Sequence, residues 1–158
     1  MNADDFRALT ECWARVMEEN RDRLIELDSV VGDSDLGLTM SDGFRAAANA
    51  VKGGAETDVG KVAYQAGRAM ASAVPSTMGT LMASGLMNAG KALKGVEQLN
   101  AAQEAELFQA WFEGVKSRGK AELGDKTFLD GLYPAVRSLC ESAERRLDPR
   151  EAAGLAAE

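Results

Sequence analysis

Apolar residues recur along nearly the whole sequence at the spacing of amphipathic α-helices. The first stripe fills most of residues 3 to 27 and predicts one long helix there. A second and a third stripe follow, and Gly53-Gly54 breaks the chain between them. The three stripes consist of Phe6, Leu9, Trp13, Val16, Met17, Leu24 and Leu27; of Met40, Phe44, Ala47 and Val51; and of Val62, Ala63, Ala66, Met70 and Ala73.

Pro75 interrupts this pattern, and Ser76 or Thr77 is expected to cap a fourth helix. The segment from Pro149 onward predicts a seventh. Strand-like alternation and internal repeats are absent, so the sequence predicts a single all-α domain over residues 1–158, an antiparallel up-and-down helical bundle or barrel. The fourth to sixth helices are expected to bury Met78, Leu81, Met82, Gly85, Leu86, Ala89 and Leu93; Leu107, Phe108, Trp111, Phe112 and Val115; and Leu129, Leu132, Tyr133, Val136, Leu139, Cys140 and Leu147.

Composition and charge restrict the classes of partner. The chain has 158 residues, of which 46% are hydrophobic, and its 25 acidic and 18 basic side chains give a net charge of -7. Because it also lacks a long basic run, we expect no nucleic-acid partner. No stretch approaches the roughly 20 apolar residues of a membrane span, and the start does not resemble a signal peptide, so we expect no membrane partner and a cytoplasmic location.

Histidine is absent, which excludes every mechanism in which this chain supplies a histidine base, nucleophile or phosphate carrier. Cys12 and Cys140 match no zinc-ligand spacing and are expected to be reduced thiols. The candidates for chemistry are therefore three segments rich in Gly, Ser, Thr and Asp: LDSVVGDSDLGLTM, VPSTMGT and RGKAELGDKTFLDG.

Three aspartates of the first segment are candidate metal ligands. Asp28 ends the predicted first helix, and Asp33 and Asp35 lie in the loop before the second, so their carboxylates can converge. Such oxygen ligands suit Mg²⁺ or Ca²⁺, and a cation would offset their mutual repulsion. The EF-hand pattern fails, because Gly37 and Phe44 stand fifth and twelfth counted from Asp33. The alternative is structural: Asp35 caps a helix and Asp33 ends a turn.

The residues after this pair, Gly37, Leu38 and Thr39, open a predicted helix. The free N–H groups and the positive dipole end of a helix start favour an anion such as a phosphate. A metal site and a phosphate site would then lie side by side.

Two stretches of the chain carry a family pattern. One is the spacing Leu27-Asp28, three residues, Gly32-Asp33-Ser34-Asp35, one residue, Gly37, then Met40. The other is the continuous stretch SRGKAELGDKTFLDGLYPAV. In this order they resemble the metal loop and a later segment of the nucleotide-binding L subunit or domain of dihydroxyacetone kinases. The resemblance covers nearly the whole chain and implies an antiparallel barrel of amphipathic helices with the nucleotide at one end.

The resemblance also implies site residues. Asp28, Asp33 and Asp35 would coordinate two Mg²⁺ ions that bridge the phosphates of ADP or ATP, as paired ions do in other phosphoryl-transfer sites. Contacts with the nucleotide are implied for Leu36, Gly37, Leu38, Thr39, Thr77, Met78, Gly119 and Phe128. No catalytic side chain is assigned.

Part of this assignment has a structural alternative. Gly119 would allow close approach of a nucleotide to the backbone, and it is equally explained as a helix C-cap after Arg118. Asp125, Lys126 and Thr127 could form a cap for the sixth helix, because Thr127 precedes an apolar stripe.

The chain departs from the family pattern in three places. Leu36 stands where the family usually has His, so a hydrogen-bonding group near the phosphates is lost. The family's Gly-Gly-Ala-Ser-Gly segment corresponds here to residues 75–79, PSTMG. Family members continue past the position of Glu158, so we expect about seven of the family's eight helices and an open apolar seam. Either a partner chain or a second copy covers this seam, or the chain is a fragment or a degenerate version of the family's domain.

The leading hypothesis is a magnesium-dependent kinase subunit that transfers a phosphoryl group to a small ketose such as dihydroxyacetone. The resemblance implies a sugar-binding partner subunit that holds the ketose on its own histidine. It also implies either ATP or a phosphotransferase-system protein as the phosphoryl donor. The alternative is a non-catalytic regulatory or scaffolding module that retains the metal loop, and a third interpretation is a helical protein whose acidic loop binds nothing.

Overall fold

The computed structural model describes residues 1–157, and these form helices and connecting loops without a β-strand. Glu158, the last residue of the predicted domain, lies outside the described residues. The isolated bridge between Asn2 and Gln98 is the one β-type pairing in the described range. The prediction of an all-α bundle is therefore confirmed. The helices are α1 (Ala3–Glu19), α2 (Arg21–Asp28), α3 (Leu36–Val51), α4 (Val59–Ala73), α5 (Thr77–Ala92), α6 (Ala101–Gly119), α7 (Phe128–Glu144) and α8 (Pro149–Ala157).

Polar side chains fix where most helices begin. The side chains of Asn2, Asp58, Ser76, Asn100 and Thr127 each accept a hydrogen bond from a first-turn N–H group. Such caps satisfy donors that have no partner within the helix, and each is worth about 1 kcal/mol. The sequence left open whether Ser76 or Thr77 caps the fourth predicted helix, and the structure selects Ser76.

The predicted first helix, residues 3 to 27, is in fact two helices that meet at Asn20. The Asn20 side chain donates to the backbone oxygen of Val16 at 2.8 Å, and its backbone leaves the helical region with φ -104° and ψ 6°. Asparagine competes for backbone partners in this way, which explains the break inside an otherwise continuous apolar stripe. The described range therefore holds eight helices, where about seven were expected.

The last predicted stripe also extends too far. Leu147 was expected to belong to the sixth predicted helix, but the corresponding α7 ends at Glu144. Arg146 has a left-handed backbone with φ 55°, and the N–H of Leu147 turns back to the oxygen of Ser142 at 3.1 Å. This turn ends α7 before Pro149 begins α8.

The helices from α3 to α8 pack side by side in chain order, and α1 packs on α3. Short connections of this kind join antiparallel neighbours. The core includes an aromatic cluster in which the Trp13 ring lies 5.1 Å from Trp111, 5.9 Å from Phe44 and 6.5 Å from Phe108 between ring centroids. Through these rings α1, α3 and α6 share one interior. No helix within residues 1–157 combines the length and the apolarity needed to cross a bilayer.

An apolar cavity of about 230 Å³ lies among α1, α6, α7 and α8. Leu9, Phe108, Leu139 and Leu147 contribute to its walls. An open apolar seam was expected from the resemblance, without an assignment to particular helices. That a partner chain or a second copy covers the seam stays a prediction.

Two glycines allow α4 and α5 to pack with their backbones in close contact. A Cβ atom added to Gly60 would lie 2.5 Å from the backbone carbon of Leu93 and 2.6 Å from the backbone oxygen of Gly90. A Cβ added to Gly90 would lie 2.5 Å from the backbone oxygen of Gly60. Since backbone atoms cannot move aside as a flexible side chain does, both positions need glycine.

We expect Gly60→Ala to lower the free energy of unfolding by about 1–3 kcal/mol, because the added methyl group must push α4 and α5 apart. Urea unfolding followed by circular dichroism measures the effect. Gly131→Ala in α7 is the matched control, because a Cβ there meets no atom within 4 Å. This control should gain about 0.5–1 kcal/mol, and equal stability of the two variants would contradict the packing argument.

Candidate metal and nucleotide site

The structure brings the carboxylates of Asp28, Asp33 and Asp35 together. Each offers one oxygen, and the three oxygens lie within 4.8 Å of one another. Asp28 is the last residue of α2, and the other two lie in the loop that leads to α3. Asp28 is half-buried, whereas Asp33 and Asp35 are exposed. The donor set consists of hard oxygen ligands alone and is accessible, so it fits a divalent cation such as Mg²⁺ or Ca²⁺.

Two loop residues, Gly32 and Ser34, allow this convergence. A Cβ atom on Gly32 would lie 2.1 Å from the Oδ1 atom of Asp28, so glycine is required for the Asp28 carboxylate to occupy its place. Ser34, between the two loop aspartates, has a left-handed backbone with φ 66°. Residues other than glycine, asparagine and aspartate rarely adopt this backbone conformation. Gly32 belongs to the sequence motif of this loop, but no role was predicted for it.

Asp35 stands at the N-cap position of α3, but its side chain makes no capping hydrogen bond. The alternative that the Asp35 side chain caps α3 is therefore wrong. The Leu36 N–H donates instead to Oδ2 of Asp28 at 3.3 Å, which ties the end of α2 to the start of α3. Within residues 1–157 the N–H groups of Gly37 and Leu38 have no acceptor, so this turn keeps free donors.

The four residues at the start of α3 differ in accessibility. Leu38 is 48% exposed, whereas Gly37 and Thr39 are buried and Leu36 packs partly buried against the core. A Cβ on Gly37 would lie 2.1 Å from the backbone oxygen of Arg21. Gly37 therefore allows α3 to pack closely on α2, a role that sequence reasoning missed because α2 was not distinguished as a separate helix.

The electrostatics of the three aspartates follow from their proximity. The pKa of the Asp35 carboxyl is raised above its ordinary value by desolvation and then by the negative charges of Asp33 and Asp28. A raised carboxyl pKa means that the ionised form is disfavoured in the folded chain. A bound cation would reverse this effect, because it attracts all three carboxylates at once.

A cavity of about 640 Å³ opens between the start of α5, the end of α6 and the start of α7. Four of the predicted nucleotide contacts line it: Thr77, Met78, Gly119 and Phe128. Arg118 adds a positive charge to the wall. The volume is in the range of small-molecule sites, which span about 300–1,000 Å³.

One hydrogen bond connects a residue of the cavity wall with the helical turn that follows the aspartates. The Thr39 hydroxyl donates to Oγ of Ser76 at 3.0 Å, and the same Oγ accepts the N–H of Gly79 as the cap of α5. The starts of α3 and α5 are thus held side by side. The start of α3 does not line the cavity itself, so the predicted nucleotide residues fall into two neighbouring groups.

The structural alternatives for Gly119, at the end of α6, and for Thr127, before α7, have different outcomes. The left-handed C-cap of α6 is Lys120, with φ 54°, so the C-cap explanation of Gly119 is wrong. A Cβ on Gly119 would meet Leu81 at 3.2 Å beside the cavity. The cap explanation of Thr127 is correct, because its side chain caps α7 in a reciprocal pair with Asp130.

Asp130 also organises the loop between α6 and α7. Its carboxylate accepts the N–H of Gly124 at 2.6 Å and the N–H of Thr127 at 2.8 Å. These bonds, that from Gly124 first, lower the pKa of Asp130 below its ordinary value. The loop supplies Ala121 and Thr127 to the cavity wall. The spacing from Thr127 to Asp130 is that of a capping box, which is the sequence signal for this role.

Comparison with known proteins assigns the family. A model of the DAK2 domain matches residues 30–158, which is most of the chain. The chain belongs to the DAK2 domain family. This DAK2 domain is 33% identical over 139 residues to the ADP-binding subunit DhaL of the PEP-dependent dihydroxyacetone kinase of Escherichia coli (strain K12), covering 88% of this chain and 66% of that protein.

Two further relatives differ in size. A DhaL subunit of Listeria innocua is 32% identical over 134 residues, which cover 85% of this chain and 67% of that protein. An L-erythrulose 1-kinase of Mycolicibacterium smegmatis is 29% identical over 149 residues, which cover 93% of this chain and 26% of that protein. The DAK2 domain described here thus spans about two thirds of the DhaL subunits and a smaller part of the erythrulose kinase.

We expect Asp35→Asn to raise the melting temperature of the DAK2 domain in a chelating buffer, because it removes one of three repelling charges. The parent protein should gain stability from Mg²⁺, by about 2.7 kcal/mol at a hundredfold excess over Kd, and the variant should gain less. Circular dichroism melts with EDTA and with Mg²⁺ measure both effects. Asp42→Asn is the control, because Asp42 is a half-buried aspartate of α3 that pairs with Arg45 and lies outside the cluster, and this variant should keep the magnesium response. An equal response in Asp35→Asn would contradict a role in metal binding.

We expect Asp130→Asn to lower the melting temperature at neutral pH, because the loop before α7 loses a charged acceptor. The folded pKa of Asp130 is lowered. Its contribution is therefore present above the ordinary carboxyl pKa of about 4 and is lost as the pH falls through the folded value. The gap between parent and variant should close on acidification, as followed by thermal melts. Asp22→Asn on α2 should show no such dependence, and a gap that persists in acid would refute the explanation.

Proposed function

We propose that this chain is the magnesium-dependent nucleotide-binding part of a dihydroxyacetone-type kinase. The observation that carries the proposal is the hydrogen bond between Thr39 and Ser76, because Ser76 lines the cavity and Thr39 lies in the first turn of the helix that follows the carboxylate cluster. The relatives are named as ADP-binding subunits of dihydroxyacetone kinases and as erythrulose kinases. Their names support a nucleotide as the ligand of this pair of neighbouring sites.

In this proposal Asp28, Asp33 and Asp35 hold Mg²⁺, and two ions are expected, as in other phosphoryl-transfer sites. Bound magnesium would neutralise the negative charge of the nucleotide phosphates. The free N–H groups at Gly37 and Leu38 add donors for the same anion. The three carboxylates without a cation would repel a phosphate, so nucleotide binding should depend on magnesium.

The cavity between α5, α6 and α7 is proposed to receive the nucleoside. Met78 and Phe128 give it apolar surface, and Gly119 leaves space at the end of α6. The loop before α7, held by Asp130, forms part of the wall. A pocket with mainly apolar walls and a few polar groups is suited to a planar base.

The phosphoryl acceptor is proposed to be a hydroxyl group of a small ketose bound by a partner subunit. This chain has no histidine to supply a base, so its contribution would be to position the phosphates and to offset their charge. The donor is either ATP or an ADP that a phosphotransferase-system protein recharges. The names of the DhaL relatives, which include PEP-dependent and PTS-dependent kinases, favour the second route.

A non-catalytic binding module is the second candidate, and the observation that favours it is Leu36. This side chain stands where the resembled family usually has His, and it packs partly buried against the core. It offers the phosphates no side-chain hydrogen bond. Binding of magnesium and nucleotide without transfer would then serve a regulatory or scaffolding role.

We expect Asp33→Ala to abolish magnesium-dependent ADP binding, because one of three carboxylate ligands is lost. Isothermal titration of ADP with Mg²⁺ and with EDTA measures this. Asp22→Ala removes an equal charge from an exposed position on α2 and should bind as the parent does. Equal ADP affinity in the presence and absence of magnesium would contradict the proposal.

The same preparation separates the two candidate functions. The chain is mixed with the sugar-binding subunit of a dihydroxyacetone kinase, with dihydroxyacetone and with a phosphoryl donor. The donor is either ATP or a phosphotransferase-system protein that recharges ADP, and the phosphorylated ketose is measured. Product formation that depends on Asp33 supports the kinase. Magnesium-dependent ADP binding without product under both donors would leave the binding module as the function.

A further inference from the structure

A second cavity, of about 560 Å³, lies on the outer face of α4 and α5 and shares no lining residue with the candidate site. Its charged lining residues are all cations: Lys61, Arg68, Lys91 and Lys94. We call this surface the basic groove. It stands out because the chain as a whole carries a net charge of -7.

Most of the positive charge in the basic groove is uncompensated. Lys61 pairs with Glu56 at 3.2 Å, but Arg68, Lys91 and Lys94 form no ion pair within residues 1–157. The Lys91 ammonium lies 6.0 Å from the centre of the Tyr64 ring, in cation–π range. Three unpaired cations facing one concave surface attract negative charge within a short distance.

The shape of the basic groove suits an elongated ligand. Lys61, Tyr64, Arg68 and Ser72 lie on one face of α4 at steps of three, four and four residues, so at 1.5 Å per residue they span about 16 Å. Between this face and α5 the lining includes Gly60 and Gly90, whose close contact leaves no side chain there. The groove thus combines a small-residue floor with a basic rim along about three helical turns.

We propose that the basic groove docks an acidic amphipathic helix of a partner protein. The small-residue floor would receive the apolar side of that helix, as in other helix-in-groove complexes. Arg68, Lys91 and Lys94 would pair with its carboxylates, and the arginine can bind a carboxylate through two parallel hydrogen bonds. Nucleic acid is disfavoured, because the rest of the acidic chain would repel an extended polyanion. This inference concerns a face apart from the nucleotide end and does not depend on the proposed function.

The test uses the full chain labelled with ¹⁵N and a synthetic helical peptide of about 16 residues, with Glu on one face and Leu and Ala on the other. The groove variant combines Arg68→Gln, Lys91→Gln and Lys94→Gln. The control variant combines Arg145→Gln, Arg146→Gln and Arg150→Gln, three exposed positions around the start of α8, and has the same net charge. A peptide with Gln in place of Glu controls for the apolar contact.

We expect the Glu peptide to shift amide signals of α4 and α5, with an affinity that falls at least about tenfold, or 1.4 kcal/mol, in the groove variant. The control variant should bind as the parent does, and the Gln peptide should bind weakly. The inference is overturned if the peptide does not bind saturably, if the shifts lie elsewhere, or if both variants lose equal affinity. Inorganic phosphate is also titrated alone. If phosphate binds at the same residues as tightly as the peptide does, the groove is a small-anion site and the inference is overturned.

Discussion

The candidate site depends on one constraint, the repulsion among three carboxylates between α2 and the start of α3. Their oxygens lie within 4.8 Å of one another, and desolvation together with this repulsion raises the pKa of Asp35. The backbone nevertheless enforces this arrangement through Gly32 and the left-handed Ser34. A bound cation would offset this repulsion, because it would attract all three carboxylates at once.

The placement of α5 relative to this cluster depends on packing elsewhere. The glycine contact between α4 and α5 fixes these helices at a short distance. Ser76, at the N-cap of α5, then lies where its Oγ accepts a hydrogen bond from the Thr39 hydroxyl. The geometry of the candidate site thus follows from small residues buried in the bundle as well as from the polar residues at its end. Replacing a glycine in the α4–α5 contact would therefore shift α5 and, with it, the position of Ser76 at the candidate site.

Periodicity was enough to predict the helices, and polar motifs were enough to predict the aspartate cluster. Both signals are local in sequence, since a helical stripe or a cap requires only neighbouring residues. The break at Asn20 was missed because a single side chain bond to Val16 outweighs a continuous apolar pattern. The role of Gly37 was missed for a different reason: its constraint comes from Arg21, across a helix boundary that the sequence pattern did not reveal.

The basic groove was hidden in the sequence because its cations come from α4, from α5 and from the turn after α5, and acidic residues outnumber basic ones in the chain. Screening by salt explains how a locally positive groove can act in a chain whose net charge is negative. At physiological ionic strength the Debye length is about 8 Å, so charges on the far side of the bundle contribute little inside the groove. An acidic segment close to Arg68 and Lys91 would therefore respond to the local cations, whereas at larger distances the net charge of -7 would slow its approach. Such a surface favours partners that fit closely over those that are merely acidic.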